Sequence, residues 1–264
     1  MMGETVVTIG GLPVLLRSQD QGIHSFLSDK YADFIATNPA SPPYELTVEV
    51  DPEDYQPPKE LCIEWSEGQW LFERHDFRAN WSPSTGRGRV RQLGTAPHAL
   101  DSVLRILHSI VVAREGGCLF HAASAVRNGK AFLFAGVSGA GKTTISSLLP
   151  PDGTLLTDEI SYVRPSEEGY RAFGTPFSGA LATPGDNVSA PLAAIYLLAK
   201  GPRNEVSPIG RTEAVAGLLR NILFFARDRD LVGTVFETAC RIADRVPVRR
   251  LTFAPTPAVW ELIG

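Results

Sequence analysis

Residues 136–143 read Gly-Val-Ser-Gly-Ala-Gly-Lys-Thr. They satisfy G-x-x-x-x-G-K-[ST] at every fixed position. This stretch constrains the fold more than any other, because such a loop works only between a strand and a helix. An apolar run, Phe132–Ala135, stands before it, and a short helix over Thr143–Leu149 follows, halted by Pro150-Pro151. The glycines let the backbone curl so that successive N–H groups point inward at phosphate oxygens. A helix beginning at Lys142 adds its positive end. Lys142 can reach the β- and γ-phosphates as a point charge. Thr143 offers a hydroxyl to a phosphate-bound Mg²⁺. The expected ligand is a purine nucleoside triphosphate held by Gly136, Ser138, Gly139, Ala140, Gly141, Lys142, Thr143 and Thr144.

The rest of the composition excludes other classes. With 264 residues, 44% of them hydrophobic and 20% charged, the chain can bury a core. A net charge of −4 argues against a general nucleic-acid binder. Cys62, Cys118 and Cys240 form no CxxC pair and no metal-ligand spacing, which fits reduced thiols. No apolar run approaches the roughly 20 residues of a membrane-spanning helix. The first residues lack the pattern of a signal peptide. A cytoplasmic protein without membrane or nucleic-acid partners is expected.

Along the chain, Thr5–Leu16 reads as two short strands about Gly10-Gly11, and Gly22–Ile35 as a helix. Asn38–Pro43 is a breaker cluster, Leu46–Val50 a strand and Asp51–Lys59 a proline-rich loop. Leu61–Trp65, Gln69–Arg74 and Asp76–Trp81 form a meander with a turn at Glu67-Gly68. Thr95–Arg114 is the clearest helix, capped by Thr95, with Leu100, Val103, Leu104, Leu107 and Val111 on one stripe. The domain boundary is therefore expected near residue 94, between a strand-rich module (1–94) and a main domain (95–264). Leu119–Arg127 and Lys130–Ala135 flank Asn128-Gly129, a strong hairpin signal. Leu155–Thr157, Ala193–Ala199 and Val248–Phe253 are further strands, with helices over Thr212–Phe225 and Asp230–Arg245. The tryptophans read as core or module-interface aromatics.

Asp158-Glu159 closes a strand sixteen positions after Lys142. A strand-end carboxylate beside a phosphate loop completes a magnesium shell in many nucleotide enzymes. So short a crossover should make this strand a neighbour of the loop. The second acid could take a proton from an attacking hydroxyl, or could be a solvated or salt-bridged neighbour. His121, on the strand paired with the loop strand, is equally well a site residue or an ordinary strand histidine.

The hairpin and the early acid pair resemble the C-terminal catalytic domain of HPr kinase/phosphorylase, whose fold is akin to phosphoenolpyruvate carboxykinase. The residues that carry this are Phe120–Val126, Gly136–Thr144 and Leu156–Glu159. HPr-kinase-related serine kinases look closer still, with Gly174-Thr-Pro176 before Pro191–Ile195. The resemblance implies a mixed-sheet α/β P-loop kinase domain that uses ATP and Mg²⁺ to phosphorylate a hydroxyl. The acceptor would be a serine in a protein or peptide, or a small molecule. Carried over, His121, Lys142, Asp158 and Glu159 are catalytic, and Thr143 and Asp158 hold the metal. The family's hexamers leave a homo-oligomer open. Two positions depart from the pattern. Ala180 falls where a further magnesium-binding glutamate belongs, and Asp186 in Pro184–Asn187 falls where an arginine belongs. These departures argue against HPr as substrate and favour an alternative, a nucleotide-sensing regulator with little transfer. Arg203 and Arg211 are candidates to cover the nucleotide, while Arg245, Arg249 and Arg250 read as a solvated face.

Overall fold

The computed structural model describes residues 2–37, 42–51, 60–93 and 98–263. It is a mixed α/β structure with two mixed sheets, of seven and nine strands, and few helices. Contacts divide it into two compact units, Met1–Ile110 with Phe225–Arg229, and Val111–Phe224 with Asp230–Gly264. The boundary expected near residue 94 lies outside the described residues, and the division by contacts falls within the long helix after it. No described helix is long and apolar enough to cross a membrane.

The first unit holds β1 (Gly3–Ile9), β2 (Leu12–Ser18), α1 (Gln21–Lys30), β3 (Tyr44–Asp51), β4 (Cys62–Ser66), β5 (Gln69–Arg74), β6 (Phe77–Ser82), β7 (Arg87–Leu93) and most of α2 (His98–Arg114). The sheet order is β1-β2-β3-β7-β6-β5-β4. The two expected turns form where positive φ is needed, at Gly10-Gly11 (61° and 73°) and Glu67-Gly68 (50° and 77°). The helix expected over Gly22–Ile35 stops at Lys30, and Ala32–Phe34 is a separate 3₁₀ turn. Tyr31 sits at the break, and its hydroxyl donates to the buried carboxylate of Asp101. β7 was not expected, because its outward positions are Arg87, Arg89 and Arg91 rather than β formers. Its inward Val90 and Gln92 are buried. Trp70 and Trp81 are core residues as expected, whereas Trp65 is half exposed at the edge strand β4. The expected apolar stripe of α2 is buried throughout, and Gly116 (φ 76°) follows its end. Its expected cap, Thr95, lies outside the described residues.

The second unit contains β8 (Cys118–Arg127), β9 (Lys130–Ala135), α3 (Lys142–Ser147), β10 (Thr154–Thr157), β11 (Ile160–Ser166), β12 (Gly169–Phe173), β13 (Ser189–Lys200), β14 (Glu205–Pro208), α4 (Arg211–Asn221), β15 (Ile222–Leu223), α5 (Arg229–Arg245) and β16 (Val248–Phe253). Asn128 (φ 52°) and Gly129 (φ 71°) make the β8–β9 hairpin turn. β9 pairs parallel with β13, and β13 parallel with β16. The strands β8, β9, β13, β12 and β11 close a circuit of pairings back to β8. Alternate residues of β9 feed two cores: Leu133 and Ala135 join a cluster with Leu218, Ala239 and Ile242 of α4 and α5. Phe132 and Phe134 join Ile145, Phe253 and Trp260 in the other. Burial on both faces explains why β9 is apolar from Ala131 to Ala135.

The strand after the loop neighbours the loop as expected, its acid pair sharing a cavity with loop residues, but it gets there without pairing with the loop strand. β10 pairs antiparallel with β8, so β8 separates it from the loop strand β9. A β-bulge between Leu155 and Thr157 shifts the register, and β11 then continues along β8 in the new register (Thr157↔Ser124, Ile160↔His121). β10 ends at Thr157, so Asp158-Glu159 follows a strand end as expected, and β11 begins at Ile160. The β11–β12 hairpin went unread because Pro165 and Glu167-Glu168 mask its alternation.

Candidate functional site

The glycine loop leaves β9 at Ala135 and enters α3 at Lys142. Gly139 (φ 75°) and Gly141 (φ 112°) take backbone angles that side chains disfavour. A Cβ on Gly141 would also lie 2.7 Å from the Phe253 ring, so β16 packs directly against the loop. Lys142 is buried and donates to the carbonyl oxygens of Gly136 (2.8 Å) and Val137 (3.4 Å). Burial lowers its pKa from the ordinary lysine value, and the Glu159 charge partly offsets this.

Three threonine and serine hydroxyls shape the acid pair. Thr157 Oγ1 accepts from the amides of Glu159 (3.1 Å) and Ile160 (3.2 Å) and donates to Phe177 O (3.1 Å). Thr175 Oγ1 donates to Ile160 O (2.8 Å), and Ser161 Oγ to Ala122 O (2.9 Å). Asp158, only 3% exposed, accepts from the amides of Gly179 (Oδ1, 2.7 Å) and Leu181 (Oδ2, 2.9 Å). Glu159 is half-buried, and its carbonyl receives the Ala122 amide (3.0 Å), which brings it beside His121. Burial, and then the Lys142 charge, hold His121 below the ordinary histidine value.

These groups face one cavity of about 320 Å³. Of the expected residues, His121, Ser138, Gly139, Gly141, Lys142, Thr143, Thr144, Asp158 and Glu159 line it. Gly136 and Ala140 do not: Ala140 is buried, and a Cβ on Gly136 would press to 2.7 Å from its methyl. Gly179 and Ala180 complete the lining; Ala180 stands where the resemblance places a glutamate, whereas Gly179 is not among the expected site residues. Larger cavities lie in the first unit. One of them, about 540 Å³, is bordered by Asp20, Glu49, Asp51 and Arg91 and gathers no comparable set of groups.

Neither Arg203 nor Arg211 lines the cavity, and Arg211 is tied to Asp244 at 2.6 and 3.0 Å on the surface. Arg250 pairs with exposed Glu213, in keeping with a solvated face. Asp186 is exposed, and its amide bonds to Leu155 O (3.0 Å). All three cysteines are free, and burial pushes the Cys118 thiol up to about 12. No described group of three His, Cys, Asp or Glu could hold a metal by itself. Thr143 and the acid pair bring oxygen-bearing side chains to the cavity lining.

Chemically, the cavity offers a curled backbone, a buried ammonium, two carboxylates and an imidazole within a small volume. No curated protein matches the chain. The family model described as SynChlorMet cassette protein ScmC matches residues 98–264, which takes in the glycine loop, the acid pair and every other cavity-lining residue. Well over half of the chain lies within that match, and the protein belongs to the ScmC family.

Proposed function

We propose that the second unit is an ATP-dependent kinase domain of the HPr-kinase-like P-loop type. The observation that carries this reading is the meeting of Lys142, Glu159 and His121 on one cavity at the glycine loop. Loop amides and Lys142 bind the triphosphate. When bound, Mg²⁺ would neutralise phosphate charge, with the Thr143 hydroxyl as its protein donor. An acceptor hydroxyl attacks the γ-phosphorus, the bond to the β-phosphate oxygen breaks, and ADP leaves. Glu159 takes the hydroxyl proton. His121, on the same cavity, would hydrogen-bond the γ-phosphate or Glu159. The acceptor is a serine-type hydroxyl in a protein, a peptide or a small molecule.

Transfer of label from radiolabelled ATP to free L-serine and to a serine-peptide array tests this. Glu159→Gln should lower transfer by roughly 10²–10⁴-fold and leave ATP affinity within about threefold. Unchanged transfer by that variant would remove Glu159 from the chemistry.

A nucleotide-sensing regulator is the second reading, and one observation favours it. Ala180 lines the cavity where the resemblance calls for a magnesium-binding glutamate, and no arginine among the described residues lines it. A sensor would bind ATP tightly and label no acceptor.

A further inference from the structure

Residues 174–188 join β12 to β13. The two strands pair directly at Phe173↔Ser189, and the Gly174 amide donates to Val188 O (2.9 Å). The segment thus leaves and returns at one point, as an Ω-loop does. Its base is fixed to the sheet by backbone bonds, Thr175 N to Leu156 O and Asp186 N to Leu155 O, both 3.0 Å. A Cβ on Gly185 would stand 1.6 Å from Leu156 O, so only glycine permits that approach. The crown of the loop, residues 178–182, is held differently. The amides of Gly179 and Leu181 bond it to the two oxygens of Asp158. The Ala182 amide closes the turn on Gly179 O (3.1 Å), with Ala182 at φ 53°. A Cβ on Gly179 would lie 3.1 Å from Asp158 Oδ2 and 3.2 Å from Glu159 Cβ, so the loop backbone lies directly against the acids.

We infer that Asp158 is a positioning residue that latches the crown of this loop as a wall of the cavity, and that the two acids divide their labour. Each Asp158 oxygen accepts one charge-assisted bond from the loop. Removing the carboxylate leaves two backbone donors without their partner, a costly state for groups turned toward a buried site. In an Asp158→Asn variant the side-chain oxygen would accept from one amide, and the N–H₂ group would face the other, donor against donor. Glu159, one residue on and less buried, then lines the cavity as the carboxylate that takes the acceptor proton, a part of the inference that rests on the kinase reading. The latch itself does not.

Hydrogen exchange on the full-length wild-type protein without nucleotide reads the latch with no variant. The Gly179 and Leu181 amides should exchange at least tenfold more slowly than that of exposed Thr183. Equal exchange overturns the latch. Limited proteolysis with mass mapping then compares Asp158→Asn with Glu159→Gln. The first should raise cleavage within 178–183 about tenfold, the second should leave it unchanged, and Asp158→Glu should restore part of the protection. A folded Asp158→Asn protein with unaltered cleavage, whose ATP binding no longer responds to Mg²⁺, would make Asp158 a metal ligand and overturn the proposal. Slow exchange in a wild-type protein that transfers no phosphate would sink the kinase reading and keep the latch.

Discussion

Buried charge is handled in opposite ways by the two units. In the first, the buried carboxylates meet cations: Asp101 contacts Lys30 and accepts from the Tyr31 hydroxyl, and Asp76 receives Arg74 through two bonds of 2.6 and 2.7 Å. In the second, buried Lys142 hydrogen-bonds to carbonyl oxygens, and buried Asp158 to backbone amides. An ion pair cancels its own field and serves the fold. A charge solvated by backbone dipoles keeps its net charge and still attracts a partner of opposite sign. The contrast explains why larger cavities in the first unit carry no comparable chemistry, while a smaller one in the second does.

Breaking a pair in the first unit should have the largest effect on stability. Lys30→Met leaves Asp101 buried with the Tyr31 hydroxyl as its remaining donor, at a cost of about 3 kcal/mol. Denaturant unfolding measures this, and ATP affinity should not change. A loss of ATP affinity would erase the division of roles.

A smaller effect is expected from pH. The folded state favours neutral His121, so the unfolded chain binds the extra proton. Its contribution to stability is full above the ordinary histidine value of about 6.5 and is lost as pH falls through the lower folded value. Thermal midpoints measured between about pH 7 and 5 should fall less steeply in His121→Gln than in the wild type. Identical slopes would show that the histidine is not desolvated.

Smallest of all is the outer face of the first sheet. Arg89 pairs with Glu49 at 3.2 Å while 59% exposed. Arg89→Ala should change stability by less than about 1 kcal/mol, as read by thermal unfolding. A larger loss would mean that the exposed ladder is part of the fold's support.

The same contrast decided what could be read from the chain. Turns that need positive φ announced themselves, as at Asn128-Gly129 and Gly10-Gly11, because few residues tolerate that backbone. Buried helices such as α2 showed their stripe. β7 did not, since arginines occupy its outer positions. The register of β10 was equally hidden: nothing local to Thr154–Thr157 says that it returns to β8 rather than lying beside β9. Within the site, Lys142, Asp158 and Glu159 were legible from type and spacing. Gly179 was not, because its contribution is backbone and its place depends on the loop between β12 and β13; Ala180 was legible only through the resemblance.

Titration calorimetry with a non-hydrolysable ATP analogue and Mg²⁺, on the wild type and Lys142→Ala, tests the central claim most directly. A hydrogen bond to a charged group contributes about 1.5–3 kcal/mol, so wild-type binding should weaken by roughly 10–100-fold in the variant. A wild-type protein that binds no nucleotide, or a variant that binds as tightly, would contradict the account.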